Sequence, residues 1–173
     1  MIIKLYDIEE SISVKGALDG ARFKRPEDTD ISFLSPIEYE LILQKAGDSI
    51  WVRGPVEARL SLTCDRCLDR FAFSVLSRLD IELRPRKKAP AAAEVELKTE
   101  EMNVYYFEGE ELDIDPYVFD EVMLNMPIKA LCSESCKGMC PNCGKNLNLE
   151  ACRCEKSGTT ALGDKLKSFL KDR

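Results

Sequence analysis

The chain has 173 residues, 45% hydrophobic side chains, eight cysteines, no histidine and a formal net charge of −6. This length suits one domain with a small appendage. No run approaches the ~20 apolar residues of a membrane span, and the opening MIIKLYDIEE lacks a secretory signal pattern. We therefore expect a cytoplasmic protein with reduced thiols, and the absence of histidine argues against a catalytic zinc site.

Alternating apolar residues predict an antiparallel sheet in the first half of the chain. After short strands near the N terminus, a period of two is clear over residues 37–43. A hairpin follows, with apolar even positions over 52–62 and apolar odd positions over 71–83. A register that places Arg53 opposite Asp80 turns both apolar sets to one face. The other face then carries the charged side chains Arg53, Glu57, Arg59, Arg78, Asp80, Glu82 and Arg84.

One helix is predicted to pack on this sheet. Asp115 is a suitable N-cap residue, Pro116 suits the first helical position, and Pro127 ends the pattern. Apolar residues within 118–126 fall along one helical face, which we expect to contact the sheet. A second, short amphipathic helix is expected over 162–170.

These elements predict an α+β fold with two parts. Residues 1–131 should form a mainly antiparallel β-rich core that includes the packed helix. The sequence does not decide whether this sheet closes partly into a barrel. Within it, residues 85–93 are rich in proline, alanine and basic side chains and predict a mobile loop. Edge strands are expected over 94–99 and 103–107. Residues 132–173 should form a cysteine-rich, zinc-binding segment with the C-terminal helix.

The cysteines indicate metal binding. Thiolates suit zinc, and a CxxC turn brings two sulfurs to one tetrahedral ion. In Cys140-Pro141-Asn142-Cys143-Gly144, the proline fixes the start of the bend and Gly144 permits a positive φ. The favoured partition is one site of Cys140, Cys143, Cys152 and Cys154 and a second of Cys64, Cys67, Cys132 and Cys136. The alternative groups Cys132, Cys136, Cys140 and Cys143, and joins Cys152 and Cys154 to Cys64 and Cys67.

Other cysteine chemistries fit the sequence less well. Disulfides are not expected in a reducing compartment, and the spacings are not those of ferredoxin clusters. A site of four thiolates is closed, so its metal serves folding and not catalysis. The tail is poor in apolar residues, and we expect zinc to supply the missing free energy, about 10–16 kcal/mol in small peptide sites.

The cysteine motifs carry a family resemblance. CDRCL at residues 64–68 and C-x3-C-x-G-x-C-P-x-C-G-x-N-L-N followed by C-x-C at 132–154 are its most specific parts, and the acidic stretch before Pro127 also fits. The chain resembles the bacterial and plastid family of large ribosomal RNA subunit accumulation proteins, the YceD-like proteins, from about residue 52 to 154. This resemblance implies a non-enzymatic ribosome biogenesis factor that supports accumulation or processing of large-subunit ribosomal RNA. Metal binding carries over to the eight cysteines, and no catalytic residue does.

Ribosomal RNA or a pre-ribosomal particle is therefore the expected partner. Arginine suits phosphate, and basic side chains gather on and beside the hairpin. Ion pairing across the sheet is the simpler explanation for Arg53, Arg78 and Arg84, and no aromatic stripe favours sequence-specific reading of single strands. The candidate RNA-binding residues are Arg59, Arg66, Arg70, Arg86, Lys87 and Lys88.

A second hypothesis uses the acidic middle of the chain. Residues 91–131 carry 2 basic and 11 acidic side chains. A zinc-stapled adaptor could dock a basic ribosomal protein through the segment 94–121, with salt-sensitive binding in the absence of RNA. Neither hypothesis requires a membrane or a small-molecule substrate.

Overall fold

The computed structural model describes residues 1–23, 31–86 and 103–154. Two compact units are present: unit 1 comprises Met1–Leu62 and Phe71–Ile128, and unit 2 comprises Thr63–Arg70 and Lys129–Arg173. The loop with Cys64 and Cys67 thus groups with the C-terminal segment. The elements are β1 (Ile2–Lys4), β2 (Ser11–Leu18), β3 (Ser32–Phe33), β4 (Ile37–Ala46), β5 (Ser49–Thr63), β6 (Arg70–Pro85), β7 (Val104–Phe107), β8 (Glu111–Asp113) and α1 (Asp115–Leu124), with 3-10 turns at Leu5–Asp7 and Gly20–Arg22.

Unit 1 is built on an open, mainly antiparallel sheet, as predicted. Its strands lie in the order β2-β4-β5-β6-β7, and β3 also pairs with β5. The edge strand β7 was expected, and it runs parallel to β6. β1 and β8 form a separate antiparallel pair. Within the described ranges the large sheet does not close into a barrel, because β2 and β7 remain at opposite edges.

The long hairpin of β5 and β6 confirms the two alternating patterns. Even positions of β5 are buried along the strand, and Leu79 and Ile81 are buried on β6. Arg53 Nε lies 2.8 Å from Asp80 Oδ1, which confirms the predicted cross-strand pair. The guanidinium of Arg53 also lies 4.4 Å from the ring centre of Trp51.

Helix α1 packs on the sheet, but the predicted N-cap is wrong. Ile114 is the N-cap residue and Asp115 already belongs to the helix. The carboxylate that serves the helix start is instead Asp113, whose Oδ1 accepts a hydrogen bond from the Asp115 amide at 3.2 Å. Because the Ile114 side chain is fully buried, core packing decides where the helix begins.

The inner face of α1 joins an aromatic cluster. Val118, Phe119 and Val122 are buried. The ring of Phe119 stacks on that of Phe23 with centroids 4.6 Å apart and lies 6.2 Å from that of Phe33. This confirms the predicted packing of the helix face, and such ring pairs add about 0.5–1.5 kcal/mol each beyond burial.

Glu82 differs from the solvated residue that its charged face suggests. Its side chain is only 10% exposed. Arg84 Nε and Nη2 donate to its two carboxylate oxygens, each at 2.8 Å. These hydrogen bonds outweigh burial and lower the pKa of Glu82 below its ordinary value.

Glu82→Gln is expected to reduce the acid sensitivity of unit 1. Since the folded-state pKa is depressed, the ionised carboxylate stabilises the fold above the unfolded pKa of about 4.3, and this stabilisation is lost as pH falls through the folded pKa. The variant should lose about 1–3 kcal/mol at pH 7 and show a flatter decline below pH ~4.3. Denaturant titrations across pH measure both, with exposed Glu110→Gln as control. Parallel pH curves for Glu82→Gln and the parent chain would contradict this role.

Several predictions fall outside the described residues. These are the strand over 94–99, the C-terminal helix over 162–170, the side chains Lys87 and Lys88, and most of the loop 85–93. Among the described residues, none of the helices has the length and apolar character of a membrane span.

Candidate metal centre

The interior of unit 2 consists of cysteine side chains. Within residues 63–70 and 129–154, the buried apolar side chains are Cys64, Cys67, Cys136 and Cys140. Leu68 and Leu149 are exposed instead. A segment without a hydrophobic core gains little free energy from burial of apolar surface, so another interaction must hold it together.

The first cluster is formed by Cys64, Cys67, Cys132 and Cys136, whose sulfur atoms all lie within 4.8 Å of one another. Cys64 Sγ lies 3.8 Å from Cys136 Sγ, and Cys67 Sγ lies 3.7 Å from Cys132 Sγ. Four sulfurs around a tetrahedral zinc ion, each about 2.3 Å from it, are about 3.8 Å apart. The donor set and its spacing therefore fit zinc.

A tight turn shapes the first cluster. Cys64 N donates to Asp69 O, and Leu68 N donates back to Cys64 O, both at 2.9 Å. Leu68 adopts a φ of 60°, which costs a non-glycine residue about 1–2 kcal/mol. The Cys132 amide also points at Cys64 Sγ, 3.4 Å away. Amides aimed at sulfur favour the thiolate that a metal requires.

The second cluster is formed by Cys140, Cys143, Cys152 and Cys154. Cys152 Sγ lies 3.3 Å from Cys140 Sγ and 3.5 Å from Cys143 Sγ. Its turn repeats that of the first cluster, because Gly144 N donates to Cys140 O at 2.9 Å and Gly144 has a φ of 70°. The positive φ predicted for Gly144 is confirmed. Cys143 and Cys154 are exposed, whereas three of the four cysteines of the first cluster are buried and only Cys132 is exposed.

This arrangement groups the eight thiols as the favoured partition does. Two clusters of four cysteines could each hold a metal ion. All eight thiols are free, and the sulfur distances given above exceed the ~2.05 Å of a disulfide. The hairpin loop and the C-terminal segment thus share the first cluster, whereas the second is built from residues 140–154 alone.

The first cluster contains thiols with opposed protonation preferences. Burial raises the pKa of Cys64, but hydrogen bonds from the amides of Cys132, Cys67 and Arg66 outweigh it and lower that pKa to about 6. The Asp69 amide lowers the pKa of Cys67, yet burial and the neighbouring thiol of Cys64 raise it to about 12. One thiolate thus opposes ionisation of the next, and a bound cation would relieve this repulsion.

The second cluster shows the same opposition. Amides of Cys143 and Asn142 lower the pKa of Cys140 to about 6. The neighbouring thiols of Cys152 and Cys143 raise the pKa of Cys154 to about 12. Metal binding at both clusters should therefore release protons.

Asp65 and Arg66 hold the C-terminal segment against the hairpin loop, a role that the sequence did not reveal. Asp65 Oδ2 accepts from Ala130 N at 2.7 Å. Arg66 Nη1 donates to the carbonyls of Cys136 at 3.0 Å and Glu134 at 3.2 Å. The guanidinium of Arg66, a candidate for RNA contact, is thus turned toward backbone oxygens.

Two asparagines complete the surroundings of the sulfurs. Asn148 Nδ2 donates to Cys136 Sγ at 3.2 Å, and this bond is the leading cause that lowers the pKa of Cys136. Asn146 Nδ2 donates to the carboxylate of Asp69. The only sequence signal for them is the pair of amide side chains in N-L-N, which lies between two cysteine pairs.

The remaining RNA candidates occupy different surroundings. Arg59 lies on the outward face of β5, exposed, and makes no ion pair with another described residue. Arg70 is exposed in unit 2. Arg86 Nε lies 3.3 Å from Glu108 Oε1, an exposed pair of small energetic value.

Comparison with known proteins identifies the family. The model of the family described as "Large ribosomal RNA subunit accumulation protein YceD" matches residues 52–170, a range that contains all eight cysteines. A chloroplastic YCED homolog 1 of Arabidopsis thaliana, named as a large ribosomal RNA subunit accumulation protein, is 47% identical over 47 residues, covering 27% of this chain and 15% of the relative.

Bacterial relatives match a longer stretch of the chain. An uncharacterized protein of Mycobacterium tuberculosis is 30% identical over 114 residues, covering 66% of this chain and 53% of the relative. One of Mycobacterium leprae is 27% identical over 120 residues, with 69% and 53% coverage. The chain spans about half the length of these relatives, and no solved structure matches it. Because the family model covers more than half of the sequence, this chain belongs to the YceD family of large ribosomal RNA subunit accumulation proteins.

Proposed function

We propose that this chain is a non-catalytic ribosome biogenesis factor that supports accumulation of large-subunit ribosomal RNA and is stabilised by two structural zinc ions. The observation that carries the proposal is the family match over residues 52–170, which includes both cysteine clusters. A closed tetrathiolate site leaves no open position for a substrate, which supports a structural use of the metal. The cytoplasmic location stays a prediction.

Zinc is proposed over other metals because of the donor chemistry. Both clusters offer four sulfurs within 4.8 Å and no oxygen or histidine ligand. Magnesium and calcium prefer oxygen, whereas tetrahedral sulfur sets suit zinc or iron–sulfur centres. Each cluster contains one CxxC turn with amides aimed at sulfur, and this arrangement favours a mononuclear zinc site over an iron–sulfur centre.

We propose that individual exposed arginines contact RNA, and not that the net charge of the molecule attracts it. The net charge of −6 opposes general attraction to RNA. Arg59 is the best described candidate, since its side chain is exposed and unpaired within the described ranges. Arg70 and Arg86 are secondary candidates. In the part of the chain that the structure describes, nothing favours docking of a basic ribosomal protein through the acidic segment.

Loss of this protein is expected to lower the ratio of large-subunit to small-subunit ribosomal RNA in its host. The parent chain should restore the ratio, and Arg59→Glu should restore it poorly. In direct binding to large-subunit ribosomal RNA, Arg59→Glu should weaken association and reduce the slope of log affinity against log salt by about 1, as expected for one lost phosphate contact.

Lys15→Glu is the matched control. Lys15 lies on the edge strand β2 and is also exposed, and reversing its charge changes the net charge by the same amount. It should retain the parent salt slope. An unchanged ribosomal RNA ratio after loss of the gene would contradict the proposed function. Equal binding by Arg59→Glu and Lys15→Glu would instead reject Arg59 as a contact.

A further inference from the structure

The segment that closes the second cluster also contacts the first. Residues 144–151 connect Cys143 to Cys152, and both of these thiols belong to the second cluster. Yet Asn148 Nδ2 donates to Cys136 Sγ of the first cluster at 3.2 Å. Asn146 reaches Asp69, which lies two residues beyond Cys67. One short segment therefore connects the two candidate metal sites within unit 2.

The orientation of Asn148 is determined by its other hydrogen bonds. Lys137 N donates to Asn148 Oδ1 at 2.7 Å, and a backbone amide can only donate, so the side-chain oxygen must face it. The Nδ2 group is then left to face the sulfur. Asn148 N donates in turn to Asn146 Oδ1 at 2.9 Å. This hydrogen bond fixes the side chain of Asn146 relative to the backbone of Asn148.

The backbone of the segment is attached to the first cluster as well. Leu147 N donates to Gly138 O at 2.8 Å, and Met139 N donates to Arg66 O at 3.0 Å. Met139 and Asn146 also form an antiparallel bridge. Arg66 lies between the two cysteines of the hairpin loop, so ordering residues 144–151 also orders the frame that holds Cys64, Cys67 and Cys136.

We propose that the two clusters bind metal cooperatively, with Asn148 as the positioning residue that couples them. This inference rests on the metal binding proposed above. Metal at the second cluster fixes both ends of the 144–151 segment and so places the Asn148 amide on Cys136, where it stabilises the ligating thiolate. By linkage, metal at the first cluster raises the affinity of the second by the same factor. Groups that support metal ligands typically change affinity about 10–100-fold.

Cobalt(II) titration of the reduced chain, in competition with a chelator, tests the coupling. Cobalt bound by four thiolates gives charge-transfer and tetrahedral ligand-field bands whose intensity reports how many sites are occupied. When the second cluster is disabled by C143S, C152S and C154S, the first cluster should bind cobalt about 10–100-fold more weakly than in the parent chain. N148A with both clusters intact should weaken the first cluster by a similar factor. Adding N148A to the triple variant should weaken cobalt binding at the first cluster little further, because both changes remove the same connection between the clusters.

The control and the spectra separate coupling from misfolding. L149A alters an exposed neighbour in the same segment and should keep the parent affinities. N148A at saturating cobalt should still reach the band intensity of two tetrathiolate sites, which shows that both sites form. Independent binding of two cobalt ions, unaffected by N148A, would overturn the coupling but leave metal binding in place. Absence of thiolate-bound cobalt at both clusters would overturn the metal proposal itself, and the coupling with it.

Discussion

Chelation of zinc from the reduced protein is expected to unfold residues 63–70 and 129–154 while the sheet of unit 1 stays folded. The described part of unit 2 buries cysteines and no larger apolar side chain, so little opposes its conformational entropy once the metal is gone. Zinc at small peptide sites contributes about 10–16 kcal/mol, which matches or exceeds the whole net stability of a typical domain, about 5–15 kcal/mol.

Metal analysis and amide NMR spectra measure this outcome. The reduced chain should contain two zinc ions, and chelation should collapse the signals of Gly138 and Gly144 while the fluorescence of Trp51, on β5, stays native. Cys136→Ser should lose metal from the first cluster, whereas exposed Ser135→Ala should keep both ions. A metal-free chain with dispersed signals throughout unit 2 and eight free thiols would contradict the proposed role of zinc.

Gly54→Ala is expected to be the most destabilising small substitution in the sheet. Gly54 is buried on β5, and an added Cβ would collide with the backbone carbonyl oxygen of Glu40 and lie 2.9 Å from Leu41 Cα. Both atoms belong to the neighbouring strand β4, so neither can rotate away. The strands must separate, at a cost of about 3 kcal/mol or more.

Gly47→Ala provides the matched control for this change. Gly47 has a φ of 64°, and its added Cβ would meet nothing within 4 Å. The cost should therefore be only the ~1–2 kcal/mol of a left-handed backbone for a residue with a side chain. Denaturant unfolding followed by Trp51 fluorescence compares the two variants. Equal losses would show that the close approach of β4 and β5 is not the deciding contact.

The sequence alone predicted the elements that rest on periodicity. A period of two in residues 52–62 and 71–83 indicated the hairpin, since side chains on a strand alternate between faces. The same pattern placed Arg53 opposite Asp80, which the structure confirms. The spacing of the cysteines likewise indicated tetrahedral sulfur sites and the positive φ at Gly144. These are local properties, because each depends on residues close together in the chain or on one repeating pattern.

Tertiary structure decided what depends on residues distant in the chain. Sequence left two cysteine partitions open, because spacing restricts which sulfurs can meet but does not choose among far partners. The choice follows from where Arg66 and Asp65 hold the C-terminal segment. Glu82 looked like a solvated residue of a charged face, and only its burial beside Arg84 shows otherwise.

Asn148 illustrates the same limit most clearly. In sequence it is one polar residue in the short connection between Cys143 and Cys152. Its hydrogen bond to Cys136 exists because the segment 144–151 packs beside residues 136–139. Sequence thus determined which chemistry the sulfurs offer and where the long hairpin forms. Packing between segments about 70 residues apart determined which sulfurs come together and which side chains contact them, since long-range contacts are selected by the free energy of the whole fold.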